Sequence, residues 1–478
     1  MGTNELETAG NALAPIHARL REAAARDSNP EWRKRDAWLA TLERLVRENE
    51  AAIGEAIRSD FGNRSLHETQ LLELFPSFEA IRHARRHLKS WMRPERRAVS
   101  MWFLPGRARV LHQPLGVVGI IVPWNYPLLL AVGPLVAALA AGNRVMVKMS
   151  EFTPAMSELF ARLVAKYFSD ANNDEAVAVV QGDAQVAQAF ALLPFGHLLF
   201  TGSTKVGYSV MRAAAENLTP VTLELGGKSP AILGPDYPLE KFAERVVIGK
   251  TMNAGQTCIA PDYVLVPAGR AREFIAVAQK VMADCYPDIL RTPDYSSIIS
   301  ARHFKRLVGL VEEARAQGAE VVPLSSAAEP DATTRRMPPV ALLNVTPAMQ
   351  VMQEEIFGPI LPIVPYRDLD EAIGYVNARP NPLALYYFDH DRGRIDHVLA
   401  QTLSGGVTIN DTLLHIAQDS LPFGGVGESG KGHYHGFEGF EAFSKKKAVF
   451  FQSRINGMGL FKPPYGKLFE RMVKLLTR

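Results

Sequence analysis

Leu115–Asn143, LGVVGIIVPWNYPLLLAVGPLVAALAAGN, carries no charged side chain from end to end. By length alone it could span a bilayer. Pro123, Pro127 and Pro134 interrupt it, and Asn125 would carry an amide into lipid with no partner for it. The better parse is a buried strand over Gly116–Val122, a tight proline-flanked loop, and a buried helix over Leu128–Ala141. Unbroken apolar runs mark a parallel strand covered on both faces and the helix packed against it. This reading makes the chain an α/β protein and excludes a membrane-spanning one.

Working outward, similar short runs recur between residues 115 and 225: VVGIIV, RVMVK, AVAVV, HLLF and VTLEL. Segments of helical period separate them. A second alternating region from about 229 to 410 offers PAIL, YVLV, EVVPL and LPIVPY as strands. Strand–helix alternation argues for parallel sheets wrapped by helices, so two α/β domains are expected. No fixed-period repeat and no low-complexity linker is present. Upstream, residues 12–58 read as helical. IRHARRHLKSWMR then sets Arg82, Arg85, Arg86, Lys89 and Arg93 on one side of a helix that ends at Pro94. A solvated basic face is preferred there over a nucleic-acid or phospholipid patch. VSMWFLPGRARVLHQPLG reads as a hairpin around Pro105-Gly106.

The 478 residues are 47% hydrophobic and 22% charged, with a formal net charge of +3. That is ordinary globular composition, and the charge is too small to imply a nucleic acid or an anionic membrane as the overall partner. Cys258 and Cys285 cannot build a disulfide framework, and MGTNELETAG has neither a basic nor an apolar leader region, so a cytoplasmic protein is expected. Gly2 fails as a myristoylation site because position 6 is Leu. The final YGKLFERMVKLLTR is basic and amphipathic but too short to span a bilayer; packing on the protein's own surface is expected of it.

Gly425–Gly430, GVGESG, matches the dinucleotide pattern G-x-G-x-x-G, but no strand precedes it and no acid follows about 20 residues on. A loop that lets another backbone approach closely is the default reading. FTGSTKVG, Phe200–Gly207, is the better phosphate candidate, since a strand ends there and a helix opens with free N–H groups. An ordinary capped loop would look the same. NAGQTCIAPDY sets Cys258 among polar and small residues, where a thiol used for packing would sit in an apolar run. Three further segments stand beside it: VPWNYP with Asn125, VKMSE with Lys148 and Glu151, and TLELGGKSP with Glu224. Singly, each has a bland reading as inert thiol, turn residue, solvated strand end or cap. Jointly they suit one chemistry: a thiolate attacking a carbonyl, an amide stabilising the oxyanion, and a carboxylate as base. No local Cys-His signature of a papain-like protease is present.

PWNYP, VKMSEFTP, FTGSTKVG, LELGGKSP, NAGQTC, EEIFGPI and LPFGGVGESGKGHYHG occur in an order and spacing that resemble the NAD(P)-dependent aldehyde dehydrogenase superfamily, over about residues 15–455. TCIAPDYVL, NPLALYYF and NDTLLHIAQDSLPFGGVGESG look like its class 3 branch. The tail AVFFQSRINGMGLFKPPYG looks most like that of the bacterial coniferyl aldehyde dehydrogenases. The resemblance implies a Rossmann-like cofactor domain (1–95 and 115–226), an α/β catalytic domain (227–430), and an oligomerisation hairpin with bridging elements and tail (96–114 and 431–478).

It also implies oxidation of an aromatic aldehyde such as coniferaldehyde, or of a medium or long aliphatic one, to the free acid. Cys258 would be the nucleophile, Asn125 and the Cys258 backbone N–H the oxyanion hole, and Glu224 the base that activates water on the thioester. Trp124, Lys148, Glu151, Gly202, Ser203, Gly207, Glu355 and Phe357 would hold the cofactor, NAD in preference to NADP. Tyr126 and Phe423 would line the substrate tunnel. A homodimer without metal, nucleic acid or transmembrane segment is implied. Met149 stands where the family usually has Pro, which should change the rigidity of the loop slightly. A CoA-acylating semialdehyde dehydrogenase is the rival enzyme reading, which Glu224 weighs against. A non-catalytic binding protein on this fold is the rival outside enzymes.

Overall fold

The computed structural model describes residues 3–169, 175–326 and 329–477. Leu115–Asn143 folds as a strand, Val117–Ile121, and a helix, Leu129–Ala140, within a residue or two of the expected limits. Every residue of the strand is buried. Among the described residues no helix is long and apolar enough to cross a membrane.

That strand is the centre of a six-stranded sheet. Arg144–Lys148 and then Val177–Val180 lie on one side of it, and His197–Thr201 and then Val221–Glu224 on the other, all parallel. The chain therefore reverses direction across the sheet beside Val117–Ile121. Ligands of open α/β sheets gather at such a switch point, outside the carboxyl ends of the strands. Gly430–Lys431 closes the edge, antiparallel to Leu223 and Glu224.

A seven-stranded sheet follows, in the order Glu320–Pro323, Val340–Leu343, Ile360–Tyr366, Tyr263–Pro267, Pro230–Leu233, Ala384–Phe388 and Gly406–Ile409. Only the first of these is antiparallel to its neighbour. Cys258 precedes Tyr263–Pro267, and Glu355 and Phe357 precede Ile360–Tyr366. The cleft thus sets the carboxyl ends of one sheet against the amino ends of the other. A third sheet joins Glu95–Arg97, Arg107–Pro114 and Ser444–Phe451. Its first two strands form a hairpin about Pro105-Gly106, but the first strand lies upstream of the expected VSMWFL stretch, in which Met101–Phe103 is a 3-10 turn.

Residues 12–58 are helical as expected, divided among three helices, Thr3–Arg26, Trp32–Arg47 and Glu50–Phe61. Asn29-Pro30 makes the first break, since Pro30 lacks an N–H and its carbonyl turns to accept from Arg35 Nε at 2.8 Å. Val340–Leu343, Ala384–Phe388 and Gly406–Ile409 are strands that the alternation did not single out. The tail helix Lys467–Leu476 has no fully buried residue: Leu468 and Leu475 are each 61% exposed, while Phe469, Met472 and Val473 are partly covered. The basic face of Phe75–Trp91 is solvated as expected: Arg82, Arg86, Lys89 and, just past its end, Arg93 are exposed. Within the chain Arg85 pairs with Asp36 at 2.8 Å and Glu43 at 3.0 Å, and Arg82 with Glu79 at 2.9 Å.

Candidate active site

Four strand ends of the six-stranded sheet deliver the expected residues. Ile121 runs into Pro123-Trp124-Asn125, Lys148 into Met149 and Glu151, Thr201 into Gly202-Ser203, and Glu224 into Gly226-Gly227. A cleft of about 510 Å³ collects Trp124, Asn125, Gly202, Ser203, Glu224, Cys258, Glu355 and Phe357 along its wall. Lys148, Glu151 and Gly207 are not part of that wall. Lys148 is buried, donates to Met149 O at 2.7 Å, and lies 3.8 Å from the half-exposed Glu151 carboxylate. Gly207 packs the helix Thr204–Ala215 onto Leu225, where a Cβ would come within 2.7 Å of that side chain.

The glycine-rich Gly425–Gly430 loop holds Glu224 in place. Gly430 pairs with Glu224, and Leu225 N donates to Ser429 O at 3.0 Å. A Cβ on Gly430 would meet Leu223 O at 2.3 Å, so close approach of a second backbone is the reason for glycine. Gly202 N donates to Glu224 O at 3.0 Å from the other side. The Glu224 side chain is buried, and neither of its oxygens has a protein partner. Burial therefore holds its carboxyl well above the usual carboxylate range.

Cys258 is partly exposed at the cleft. Burial, with the Glu355 and Glu224 carboxylates nearby, raises its thiol far above the ordinary value. Asn125 Nδ2 donates to Gln256 O at 3.2 Å. An amide nitrogen carries two protons, so one remains for the cleft. The cysteine loop is sharply wound: Asn253, Ala254 and Gly255 all have positive φ, and a Cβ on Gly255 would strike Gly358 O at 2.5 Å.

The residues suit a dinucleotide. Glu355 Oε1 and Thr201 Oγ1 are buried without partners at this cleft, the first with its carboxyl pushed up to about 8 by burial and by Asp262. Ser203 opens the helix Thr204–Ala215 without a side-chain cap, leaving N–H groups for a phosphate. A Cβ on Gly226 would lie 1.9 Å from the Glu355 carboxylate, so any larger residue must push that carboxylate aside. Phe357 has φ 51°, a left-handed conformation uncommon for a bulky residue, and its ring meets Trp124 edge-on at 5.3 Å.

Met149 departs from the family pattern with a gain. Its N–H donates to Val180 O at 3.0 Å and extends the ladder, which Pro could not do. Tyr126 and Phe423 line neither this cleft nor the second cavity of about 300 Å³. Tyr126 is buried under Arg64 with its hydroxyl 2.7 Å from Thr257 Oγ1. Phe423 stacks on His435, whose ring does reach the second cavity. That cavity is walled by apolar residues such as Leu72, Trp91, Leu129 and Met252, and by Tyr434, whose hydroxyl burial and Glu224 hold neutral.

Sequence reading missed His303, Arg306, Lys205 and Lys228. His303 stacks edge-on to Trp124 at 5.1 Å, and Lys228 pairs with Asp262, which also accepts from Ile356 N at 2.9 Å. Lys205 and Lys228 lie inside the FTGSTKVG and LELGGKSP stretches without having been singled out, whereas His303 and Arg306 come from the helix Ala301–Ala316, whose approach to the cleft is tertiary. One group with metal-ligand donors, Glu95, His112 and Glu441, occurs among the described residues far from the cleft in sequence. Its carboxylates are paired with Arg97 and Lys446.

The aldehyde dehydrogenase family model matches residues 14–449. The chain belongs to the aldehyde dehydrogenase family. A probable coniferyl aldehyde dehydrogenase of Pseudomonas aeruginosa is 53% identical over 98% of this chain and 97% of its own. A solved structure described as the substrate-bound state of Staphylococcus aureus AldH is 36% identical, with a TM-score of 0.91, covering 97% of this chain and 99% of that one. A Mycobacterium tuberculosis aldehyde dehydrogenase complexed with NAD+ is 29% identical, with a TM-score of 0.80 over 91% and 88% of the two chains. The fold is the aldehyde dehydrogenase fold. The protein is an oxidoreductase that acts on aldehydes and uses NAD(P).

Proposed function

We propose that Cys258 is the nucleophile, Asn125 the oxyanion donor and Glu224 the base that hydrolyses the acyl-enzyme. The observation that carries this reading is the Glu224 carboxylate, buried in the same cleft wall as Cys258 with both oxygens free of protein partners. The Cys258 sulfur adds to the aldehyde carbon and its proton leaves to a base. The developing oxyanion accepts from the free Asn125 Nδ2 proton and the Cys258 N–H. When bound, the oxidised nicotinamide supplies the hydride acceptor. Glu224 then takes a proton from water as that water attacks the thioester carbonyl, and the Cys258 sulfur leaves with the acid released. A buried carboxylate reserved for water favours the free acid over transfer to CoA. Trp124, Gly202, Ser203, Glu355 and Phe357 hold the cofactor in the cleft, and Gly207 supports the helix whose N-terminus takes the pyrophosphate.

The substrate enters through the apolar cavity beside Tyr434, with Tyr126 and Phe423 backing its walls. Aromatic walls suit a flat aldehyde, and the Pseudomonas aeruginosa relative points to coniferaldehyde. The test is a panel of aromatic and alkyl aldehydes, with cofactor reduction followed by absorbance. Coniferaldehyde should have the highest kcat/KM; a medium-chain alkanal ahead of it would overturn the substrate assignment and leave the chemistry intact.

NAD is preferred over NADP. The Glu151 carboxylate can accept from both ribose hydroxyls and repels a 2′-phosphate, while Lys148, 3.8 Å away, softens that repulsion. Comparing kcat/KM for both cofactors in the wild type and in Glu151→Gln tests this; an unchanged ratio would remove Glu151 from the role. The protein works in the cytoplasm, where its two free thiols stay reduced, and as a homodimer.

A further inference from the structure

Two loops carry the proposed chemistry. The segment Arg64–Glu73 touches both. Arg64 is fully buried; its Nη1 donates to Asn125 O at 2.9 Å and lies 2.9 Å from Glu73 Oε1. Its guanidinium also sits over the Tyr126 ring, 4.6 Å from the centroid. Glu73, equally buried, accepts at Oε2 from Leu128 N at 2.7 Å and Leu129 N at 3.1 Å. It thereby caps the helix Leu129–Ala140 as the chain leaves the Asn125 loop. Glu68 reaches the other loop. It accepts from Asn253 N at 3.1–3.2 Å and from Ser296 Oγ at 3.0 Å.

Side chains between the two loops complete the stitching. Asn253 Nδ2 donates to Asn125 O at 3.0 Å, Asn125 Nδ2 to Gln256 O at 3.2 Å, and Tyr126 meets Thr257 at 2.7 Å. The local helix is adapted to this: residues Gln70–Leu74 form a π-helical turn. Residues five apart in an α-helix point well away from each other, and a π turn swings them toward one face. Glu68 and Glu73 are five apart. Two carboxylates and a guanidinium buried together are costly unless each is bonded. Here Arg64 Nη1, Glu73 Oε2 and the Glu68 carboxylate bond to the backbones of the two loops, while Arg64 Nε and Nη2 and Glu73 Oε1 make no hydrogen bond.

We propose that Arg64, Glu68 and Glu73 are positioning residues that fix the Asn125 amide against the Cys258 loop, so the oxyanion donor is set before substrate arrives. This rests on the reading of Asn125 as oxyanion donor. Oxyanion stabilisation depends on geometry, and a misplacement of about 1 Å can cost about 10²-fold. A lysine at position 64 keeps the charge, but its shorter side chain and compact ammonium replace the planar guanidinium that lies over the Tyr126 ring while reaching Asn125 O and Glu73.

The test is a double-mutant cycle of Arg64→Lys with Asn125→Ala. Arg64→Lys alone should lower kcat by about 10–100-fold. Its aldehyde KM should change less than about threefold, and NAD binding, read by quenching of protein fluorescence, should be unchanged. In the Asn125→Ala background the same substitution should cost almost nothing more, because contacting residues that act as a unit are non-additive. Multiplying losses would overturn the proposal, since Arg64 would then act independently of Asn125. If Arg64→Lys does not fold, Glu68→Gln, which keeps an acceptor for Asn253 N, replaces it in the same cycle with the same criteria. A fully active Asn125→Ala is a separate outcome: it overturns the oxyanion reading itself, and the positioning proposal with it.

Discussion

At the scale of single residues, proton bookkeeping decides the rate. Burial, and then the Glu355 and Glu224 carboxylates, raise the Cys258 thiol, so it must give up its proton to act as a nucleophile. Cys258→Ser should abolish oxidation and leave NAD binding intact, because a hydroxyl is a far poorer nucleophile. Cys285 is exposed and should be replaceable by Ser without loss, which steady-state assays will check. Glu224 must be ionised to take a proton from water, yet burial raises its carboxyl. Below its raised pKa the base is neutral and idle, so kcat should climb as pH rises through that value. Glu224→Gln should flatten the climb. It should also give a burst of about one reduced cofactor per site, followed by a steady rate about 10²–10⁴-fold lower. A steady rate equal to wild type, with the same pH profile, would exclude Glu224 from deacylation.

Elements explain what the sequence revealed and what it hid. The cleft residues were legible because an open parallel sheet presents its carboxyl ends, and apolar runs ending in WN, KMSE, TGS or ELGG mark those ends in one dimension. The seven-stranded sheet was only partly legible: PAIL, YVLV, EVVPL and LPIVPY are singled out by the alternation, while VALL, ALYYF and GVTI are not. The helical N-terminus hid its breaks because Ala, Leu and Glu dominate composition on both sides of Asn29-Pro30. Arg64, Glu68 and Glu73 were invisible for a different reason. Their partners lie 61, 185 and 55 residues away, and nothing local distinguishes them from helix-surface charges. Gly226 was quoted only as part of a motif, and the fold shows why it is glycine. Gly226→Ala puts a methyl 1.9 Å from the Glu355 carboxylate and must displace it. Losing one hydrogen bond costs about 0.5–1.5 kcal/mol, so the KM for NAD should rise about 2–10-fold with the fold intact. An unchanged KM would separate Glu355 from cofactor binding.

For the whole molecule, the apolar surface left uncovered is the guide. Met101, Trp102, Phe103 and Leu104 at the hairpin tip are 49–72% exposed, and Phe450 and Phe451 of the neighbouring strand are about half exposed. Phe103 and Phe450 meet edge-on at 6.4 Å, so the two groups form one patch. A contiguous apolar patch of this kind marks a docking face on a folded protein. Ser444–Phe451 is also an edge strand of its sheet. Its first half carries Lys445, Lys446 and Lys447, which discourage pairing there, and its second half, AVFF, carries none. The partner of the proposed homodimer should therefore engage the AVFF end and the hairpin tip, away from the cleft. Trp102→Glu with Phe451→Glu would bury two carboxylates in that contact and should shift the mass in light scattering from dimer to monomer. Since neither residue borders the cleft, the monomer should still give the stoichiometric burst expected of the Glu224→Gln background. A doubly substituted protein that remains dimeric would place the interface elsewhere, and a wild type that runs as a monomer would remove the dimer altogether.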